Sequence, residues 1–170
     1  MDAERFKKWI QASMGLGNIE DFMIPNLQGL GRLDCQLISV DEKYLLLSEE
    51  KRLSIEESLL LTDRFTLSYL WVLGAYELVR SIDQKCRLDK TLLNQLLANQ
   101  VNDLKHHFER LRIPLAKLEP ASRHPSDNPI AFPVIDPQDI VAWAIAPNVK
   151  ISRRELSDRL LILTLDIASS

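Results

Sequence analysis

The side chains best suited to catalysis lie in the segment LKHHFER, residues 104–110. On a helix, Asp103, His107 and Arg110 share one face, because residues three or four positions apart are neighbours there. A carboxylate beside an imidazole sets the tautomer of the ring and raises its basicity, as general acid–base catalysis requires. This spacing is the basis for a small-molecule enzyme. The alternative, which we favour, is a histidine at the edge of a helical bundle that makes surface hydrogen bonds.

A second candidate is the charged pair Glu77 and Arg80, in the most apolar stretch of the chain, SYLWVLGAYELVR. At helical spacing the two residues predict a polar seam on a buried helix. Burying an ion pair costs several kcal/mol per ion unless further hydrogen-bond partners are present. We therefore expect the pair to set helix register rather than to perform catalysis.

A hairpin that turns at residue 86 would join the helix carrying this pair to the next one along the chain. Gln95 and Asn99 then lie level with Glu77 and are weak candidates for its partners. The same geometry separates Arg80 from His107 by roughly 18–22 Å along the axis, at about 1.5 Å per residue. The charged pair and the histidine cluster are therefore predicted to be two separate sites.

Basic residues are the third candidate group. Between residues 105 and 123 there are five Lys or Arg against two Glu, and the segment KISRREL adds three more. If the fold brings them together they could hold a phosphate backbone, with Trp143 available for base stacking. A net charge of −3 favours the alternative, solvated helix faces. The candidate phosphate-binding residues are Lys105, Arg110, Arg112, Arg123, Lys150, Arg153 and Arg154.

A charged seam in a helical bundle resembles bacterial HEPN-type domains. Members with ribonuclease activity carry an arginine followed four to six residues later by a histidine. No arginine lies at that distance before His106, His107 or His124. The resemblance therefore implies binding or scaffolding, and an RNA-associated helical domain that uses the basic and histidine residues is the alternative function.

Motifs for metals, cofactors and nucleophiles are missing from the sequence. It contains no H-E-x-x-H, no C-x-x-C, no G-x-x-x-x-G-K-[ST] and no G-x-S-x-G. Neither Cys35 nor Cys86 has a histidine near it in sequence. We accordingly predict no metal and no cofactor, and a protein that is not an enzyme.

Composition indicates one globular domain over residues 1–170, since 46% of the residues are apolar and 26% are charged. Two lone cysteines are typical of a reducing compartment rather than of a secreted disulfide framework. The N-terminus lacks the apolar region of a signal peptide. The uncharged run 65–76 is far shorter than the roughly 20 residues that span a bilayer. A soluble, cytoplasmic protein with no membrane contact is expected.

Helix signals dominate the chain. Apolar spacing predicts a helix over residues 2–13, and the capping boxes at Ser54 and Ser152 begin helices at 55–84 and up to about 167. Another helix follows Asp89 and ends or kinks near Ile113, because Pro114 cannot continue the hydrogen-bond ladder. The glycine-rich segment 15–31 reads as a loop, and 35–47 as a small β-hairpin.

Seven of the eight prolines fall between residues 114 and 147. The proline-rich segment 118–136 is predicted to connect elements and to lie across the bundle. Asp136 and Pro137 are typical of a helix start, so 137–145 could be a short helix, although its apolar run fits a buried strand equally well. The predicted fold is mainly α, a bundle of four or five helices with a small hairpin.

The function that these observations favour is a small, non-enzymatic protein-interaction module, such as a bacterial accessory, immunity or regulatory factor. The apolar excess on helix 55–84 favours an interface with a protein partner or with a second copy in a homodimer. Nucleic-acid binding is the less favoured alternative, and an enzyme with an Asp–His pair is the second.

Overall fold

A computed structural model describes residues 2–170 and assigns a mainly helical fold with a three-stranded antiparallel sheet. The elements in chain order are α1 (Ala3–Gly15), a 3-10 turn (Leu16–Asn18), α2 (Met23–Leu45), α3 (Glu49–Arg52), α4 (Ile55–Leu88), α5 (Gln95–Ala116), β1 (Phe132–Asp136), β2 (Ile140–Ala146), β3 (Val149–Ser152) and α6 (Arg153–Ala168). The predicted fold class, a helical bundle with a small sheet, is confirmed.

The long helices pack in a ring around one core. α1 contacts α2 and α6, α4 contacts α2 and α5, and α5 contacts α6. The sheet has the order β1-β2-β3, and its central strand packs on α2, α4, α5 and α6. Within residues 2–170, no helix combines the length and the apolar character needed to cross a membrane.

Side-chain caps mark the start of five of the helices, α1, α3, α4, α5 and α6. Ser54 Oγ accepts a hydrogen bond from the Glu57 amide at 3.2 Å, and Ser152 Oγ accepts one from the Glu155 amide at 2.9 Å. These contacts satisfy amides that have no partner inside the helix, so both predicted helix starts are confirmed. The boxes themselves are not closed, because the side chains of Glu57 and Glu155 bind Arg64 and His107 instead of the amide of the cap residue. The cap of α5 is Asn94 rather than the predicted Asp89, whose carboxylate instead accepts from Thr91.

The predicted loop at 15–31 and the hairpin at 35–47 are wrong, because α2 runs through most of both segments. Its buried stripe includes Leu27, Gly31, Asp34, Ile38 and Asp41. Because two aspartates and a glycine occupy the inward face, the sequence lacks the regular spacing of apolar residues by which an amphipathic helix is recognised.

The sheet lies later in the chain, at 132–152. Its strand β2 is the buried strand that the apolar run in 137–145 fits as the alternative to a helix. Phe132 pairs with Ala144, and Asp136 pairs with Ile140. Asp136 does not cap a helix; its Oδ1 accepts from the amides of Gln138 and Asp139 and stabilises the turn between β1 and β2. The helical alternative for 137–145 is therefore wrong.

The proline-rich segment packs onto the bundle at several points. Ala121, Asp127 and Ala131 are buried, and the Asn128 amide donates to the Ile145 carbonyl at 2.7 Å. Pro114 does not end α5 at residue 113, since the helix continues to Ala116. Its ring is buried, one turn or less from the end of the helix.

Candidate functional site

An open groove follows the outer side of the antiparallel helices α2 and α4. Trp71 Nε1 donates to the Leu30 carbonyl at 2.9 Å, and the guanidinium of Arg64 lies 4.8 Å from the ring centre of Tyr44. These contacts hold the floor of the groove together. We call the surface between the two helices the α2–α4 groove.

The part of the α2–α4 groove beside the first half of α4 is a cavity of about 510 Å³. Its rim carries Lys43, Glu57 and Asp63. A second cavity of about 620 Å³ shares Leu33 with it and extends past Gly74 to Lys85. The apolar lining of the first cavity consists mainly of Leu33, Leu37, Val40, Tyr44, Leu60 and Leu67.

Exposed leucines line this groove along the first half of α4. The exposed fractions are 44% for Leu60 and 41% for Leu67. Leu70, one turn further along α4, is 52% exposed. Leu59 and Ile55, nearer the start of the helix, are exposed as well. Several large apolar side chains exposed close together on one helix indicate a surface that has no partner in the isolated chain.

Arg64 is the buried charge of the groove, with 5% of its surface exposed. Its Nη2 donates to Glu57, which lies two turns earlier on the same face of α4. Its Nε and Nη1 have no hydrogen-bond partner among residues 2–170. Each buried donor without a partner costs about 1–3 kcal/mol. Both atoms are shielded by the surrounding side chains, so they are not presented at the surface of the groove.

Sequence reasoning missed Arg64 as a site residue. The signal was available: an arginine inside an apolar run, with a glutamate seven positions earlier on the same helical face. The cation–π contact with Tyr44 could not be found in this way, because it depends on how α2 packs against α4.

The three residues of the predicted acid–base site have separate partners. His107 Nε2 lies 2.8 Å from Glu155 Oε1 of α6, and this hydrogen bond lowers the pKa of Glu155. Arg110 donates two hydrogen bonds to Asp127, at 2.7 and 3.1 Å. Asp103 lies in a different cavity of about 260 Å³ between α5 and α6. Geometry therefore does not assemble Asp103, His107 and Arg110 into one site.

The predicted burial of Glu77 and Arg80 is wrong. They form an ion pair at 2.8 Å, but the side chains are 49% and 45% exposed. The residues predicted to lie level with them, Gln95 and Asn99, hydrogen-bond each other at 2.8 Å. Glu77 instead lies 4.0 Å from Arg112, at the far end of α5.

The position of the turn between α4 and α5 explains why Gln95 and Asn99 do not lie level with Glu77. α4 continues to Leu88 and α5 begins only at Gln95, so the hairpin turns later than residue 86. Lys105 consequently reaches Asp83, with Nζ 2.8 Å from Oδ2. The predicted axial distance between Arg80 and His107 is therefore wrong. The two side chains also point in different directions, since His107 contacts α6.

The predicted phosphate-binding residues are largely occupied by carboxylates. Lys105 binds Asp83 and Arg110 binds Asp127, while Lys150 lies 2.8 Å from Asp136. Arg112 stacks on Tyr76, with 5.0 Å between the guanidinium carbon and the ring centre. Of the others, Arg123 is exposed, Arg154 is half-buried and Arg153 is fully buried.

The aromatic residue considered for base stacking is not accessible either. Trp143 is 3% exposed and makes an edge contact with Phe65, with 6.2 Å between ring centres. The basic residues and this tryptophan therefore do not combine into a nucleic-acid surface.

Arg153 has structural contacts rather than a ligand site. Its Nη1 donates to Asp34 at 2.7 Å and its Nη2 to Asp41 at 2.9 Å. Burial raises the pKa of Asp41, and the charges of Arg153 and Arg64 oppose that shift. No group of three or more potential metal ligands occurs within residues 2–170.

Comparisons with protein-family models, with curated proteins and with solved structures found no match to this chain.

Proposed function

We propose that this protein is a non-enzymatic interaction module that binds a protein through the α2–α4 groove. The observation that carries the proposal is the mainly apolar lining of that groove, which includes the exposed Leu60 and Leu67. Single exposed apolar residues are ordinary on protein surfaces, whereas a contiguous apolar patch is typical of an interface. Helix-in-groove recognition uses this kind of surface, with apolar anchors on successive turns of the bound helix.

Charge pairing supports protein binding over RNA binding. Phosphate contacts need free cationic groups, and Lys105, Arg110 and Lys150 are each engaged by a carboxylate. A net charge of −3 adds to this preference. We extend the proposal to a cytoplasmic accessory, immunity or regulatory factor, and the two buried free cysteines support a reducing compartment.

The test is a pull-down from an extract of the native cells, using the tagged full chain in three forms. These are the unchanged protein, the double variant Leu60→Glu/Leu67→Glu, and the control Ile162→Glu on α6. All three positions are at least 41% exposed, so each substitution should change the unfolding free energy by about 0.5 kcal/mol or less. Light scattering of each form reports self-association in parallel.

A protein, or a second copy of this chain, should associate with the unchanged chain and with Ile162→Glu but not with the double variant. A charged side chain in the groove would have to be desolvated against apolar surface, which abolishes tight packing. A monomer at every concentration, together with the absence of any partner that depends on the groove, would rule out the proposed function.

A further inference from the structure

A cavity of about 300 Å³ lies beside the turn that joins α4 to α5. It shares no lining residue with the two cavities of the α2–α4 groove. Small-molecule sites occupy roughly 300–1,000 Å³, so this cavity is at the lower end of that range. Most of its lining is polar and includes two basic side chains, Arg87 at the end of α4 and Lys90 in the turn. We call it the α4–α5 cavity.

Positive charge is in excess around the α4–α5 cavity. The buried carboxylate of Asp83 lies 2.8 Å from Lys105 Nζ and 3.0 Å from Arg87 Nη2. One carboxylate neutralises only one of these two cations. Lys90 adds a third cation, and it forms no ion pair among residues 2–170. Two positive charges at this cavity are therefore without a carboxylate partner.

The contacts of Arg87 hold its guanidinium at the cavity without using all of its donors. Besides the ion pair with Asp83, its Nε lies 3.4 Å from the backbone carbonyl oxygen of Asp83. Its Nη1 has no hydrogen-bond partner among residues 2–170. Asp89, the carboxylate next to Lys90 in sequence, is engaged elsewhere, since it accepts from the amide and the hydroxyl of Thr91. Both basic side chains therefore keep N–H groups available for a ligand.

Neutral hydrogen-bond donors accompany the two cations on the lining. Asn99 Oδ1 accepts from Gln95 Nε2 at 2.8 Å, and Asn102 Oδ1 accepts from Lys105 Nζ at 3.3 Å. With their oxygens engaged, the two asparagines have their side-chain N–H groups free, and neither has an acceptor among residues 2–170. Cations combined with amide donors suit an anion that has several oxygen acceptors.

We propose that the α4–α5 cavity binds the phosphate group of a small molecule. Arg87 and Lys90 supply the charged contacts, and Asn99 and Asn102 supply the neutral ones. A phosphomonoester carries about 1.5–2 negative charges near neutral pH, which matches the two cations without a carboxylate partner. The site is independent of the α2–α4 groove, so it adds a ligand to the proposed function without relying on it.

Titration of the full chain at low salt, followed by proton–nitrogen NMR, tests the proposal with two probes, inorganic phosphate and phenyl phosphate. Both should shift the side-chain amide signals of Asn99 and Asn102 in a saturable way. Tighter binding of phenyl phosphate assigns the site to phosphomonoesters, because the buried Leu93 in the lining gives an organic group an apolar contact. Equal affinity assigns it to free phosphate, and the phosphate contacts are the same in both cases.

Substitutions of Lys90 separate a site from general attraction between charges. Lys90→Gln should raise the dissociation constant about tenfold, because it removes a charged hydrogen-bond donor. Lys90→Glu should abolish binding through repulsion. The control Arg123→Gln removes the same charge from an exposed position outside the cavity and should leave the affinity unchanged.

Thermal unfolding verifies that the variants remain folded, as expected for side chains that are exposed. The absence of saturable shifts at Asn99 and Asn102 with both probes overturns the proposal. Equal weakening by Lys90→Gln and Arg123→Gln overturns it as well, since net charge alone would then explain the binding. An affinity that neither substitution of Lys90 changes has the same consequence.

Discussion

Arg153 joins three helices through a buried network of charges at the start of α6. Its guanidinium donates to Asp34 and Asp41 of α2, and Asp34 also accepts from Arg5 Nε at 2.6 Å and from Trp9 Nε1 at 3.0 Å. Arg153 and Asp34 are fully excluded from solvent. Two arginines and two aspartates cancel in charge, and this pairing is what allows the ions to be buried.

Replacing Arg153 by Met should lower the unfolding free energy by about 3–5 kcal/mol. The substitution keeps an apolar side chain of similar length but leaves the buried carboxylate of Asp41 without its donor. Urea unfolding measures the change. The control is Arg159→Met on the same helix, which is 47% exposed and 3.6 Å from Glu155, and it should cost less than about 1 kcal/mol. Equal losses in the two variants would contradict a stabilising network.

Partners distant in sequence explain why these residues could not be identified in advance. Arg153 lies in the charged segment KISRREL, which has the composition of a solvated helix start, and its acceptor Asp34 is 119 positions away. His107 likewise binds Glu155, which is 48 positions away, rather than the nearby Asp103. Spacing along one helix identifies neighbours on that helix and carries no information about the helix packed against it.

At the scale of elements, the sequence predicted a helix start correctly where the capping hydrogen bond joins residues that are close in sequence. The Ser54 and Ser152 caps predicted two helix starts, because the amides that they satisfy are only three residues away. α2 was not predicted, since Asp34 and Asp41 occupy inward positions and their charges are neutralised by Arg5 and Arg153, which lie on other helices. The apolar candidate interface on α4 was predicted as a hint of association, but the groove itself needs α2 as its second wall.

Substitution of Gly31 by alanine tests why α2 has a glycine on its inward face. A Cβ at this position would lie 2.4 Å from Trp9 Cγ, so Gly31→Ala should cost about 1–3 kcal/mol by overpacking the contact between α1 and α2. Gly29, two residues earlier, has nothing within 4 Å of such a Cβ. Gly29→Ala should therefore stabilise the helix by up to about 1 kcal/mol.

Thermal and urea unfolding of the two alanine variants give the comparison directly. If Gly31→Ala were as stable as Gly29→Ala, the close approach of α1 and α2 would not be the reason for the glycine. A loop at 15–31, as the glycine content suggested, would make both substitutions nearly equal, so this pair also distinguishes the observed helix from the predicted loop.

Across the whole molecule, ion pairs are distributed so that each major helix is linked to another element. Lys105–Asp83 joins α5 to α4, His107–Glu155 joins α5 to α6, and Arg110–Asp127 joins α5 to the proline-rich segment. Buried guanidinium atoms without a hydrogen-bond partner among residues 2–170 occur both in Arg64 beside the groove and in Arg153 of the buried network. The α2–α4 groove is therefore distinguished by its apolar lining rather than by its charges.

These links make the stability of the fold dependent on acidic pH. Hydrogen bonds from Arg110, His107 and Lys150 lower the pKa of Asp127, Glu155 and Asp136, respectively. A carboxyl whose pKa is lower in the folded chain binds protons more readily when unfolded, so acid favours unfolding. Their contribution is complete above the unfolded values of 3.8 for Asp and 4.5 for Glu, and it is lost as pH falls through the folded values.

Asp41 acts in the opposite direction, because burial raises its pKa and protonation in acid relieves part of the cost of burying its charge. Three paired carboxylates oppose this one, so the unfolding free energy should decrease as pH falls below about 4.5. Urea unfolding at a series of pH values measures that slope. Asp127→Asn should make the decrease shallower, and Arg110→Gln should do the same by removing the donor that lowers the pKa of Asp127. An unchanged slope in both variants would show that the Arg110–Asp127 contact does not couple folding to protonation.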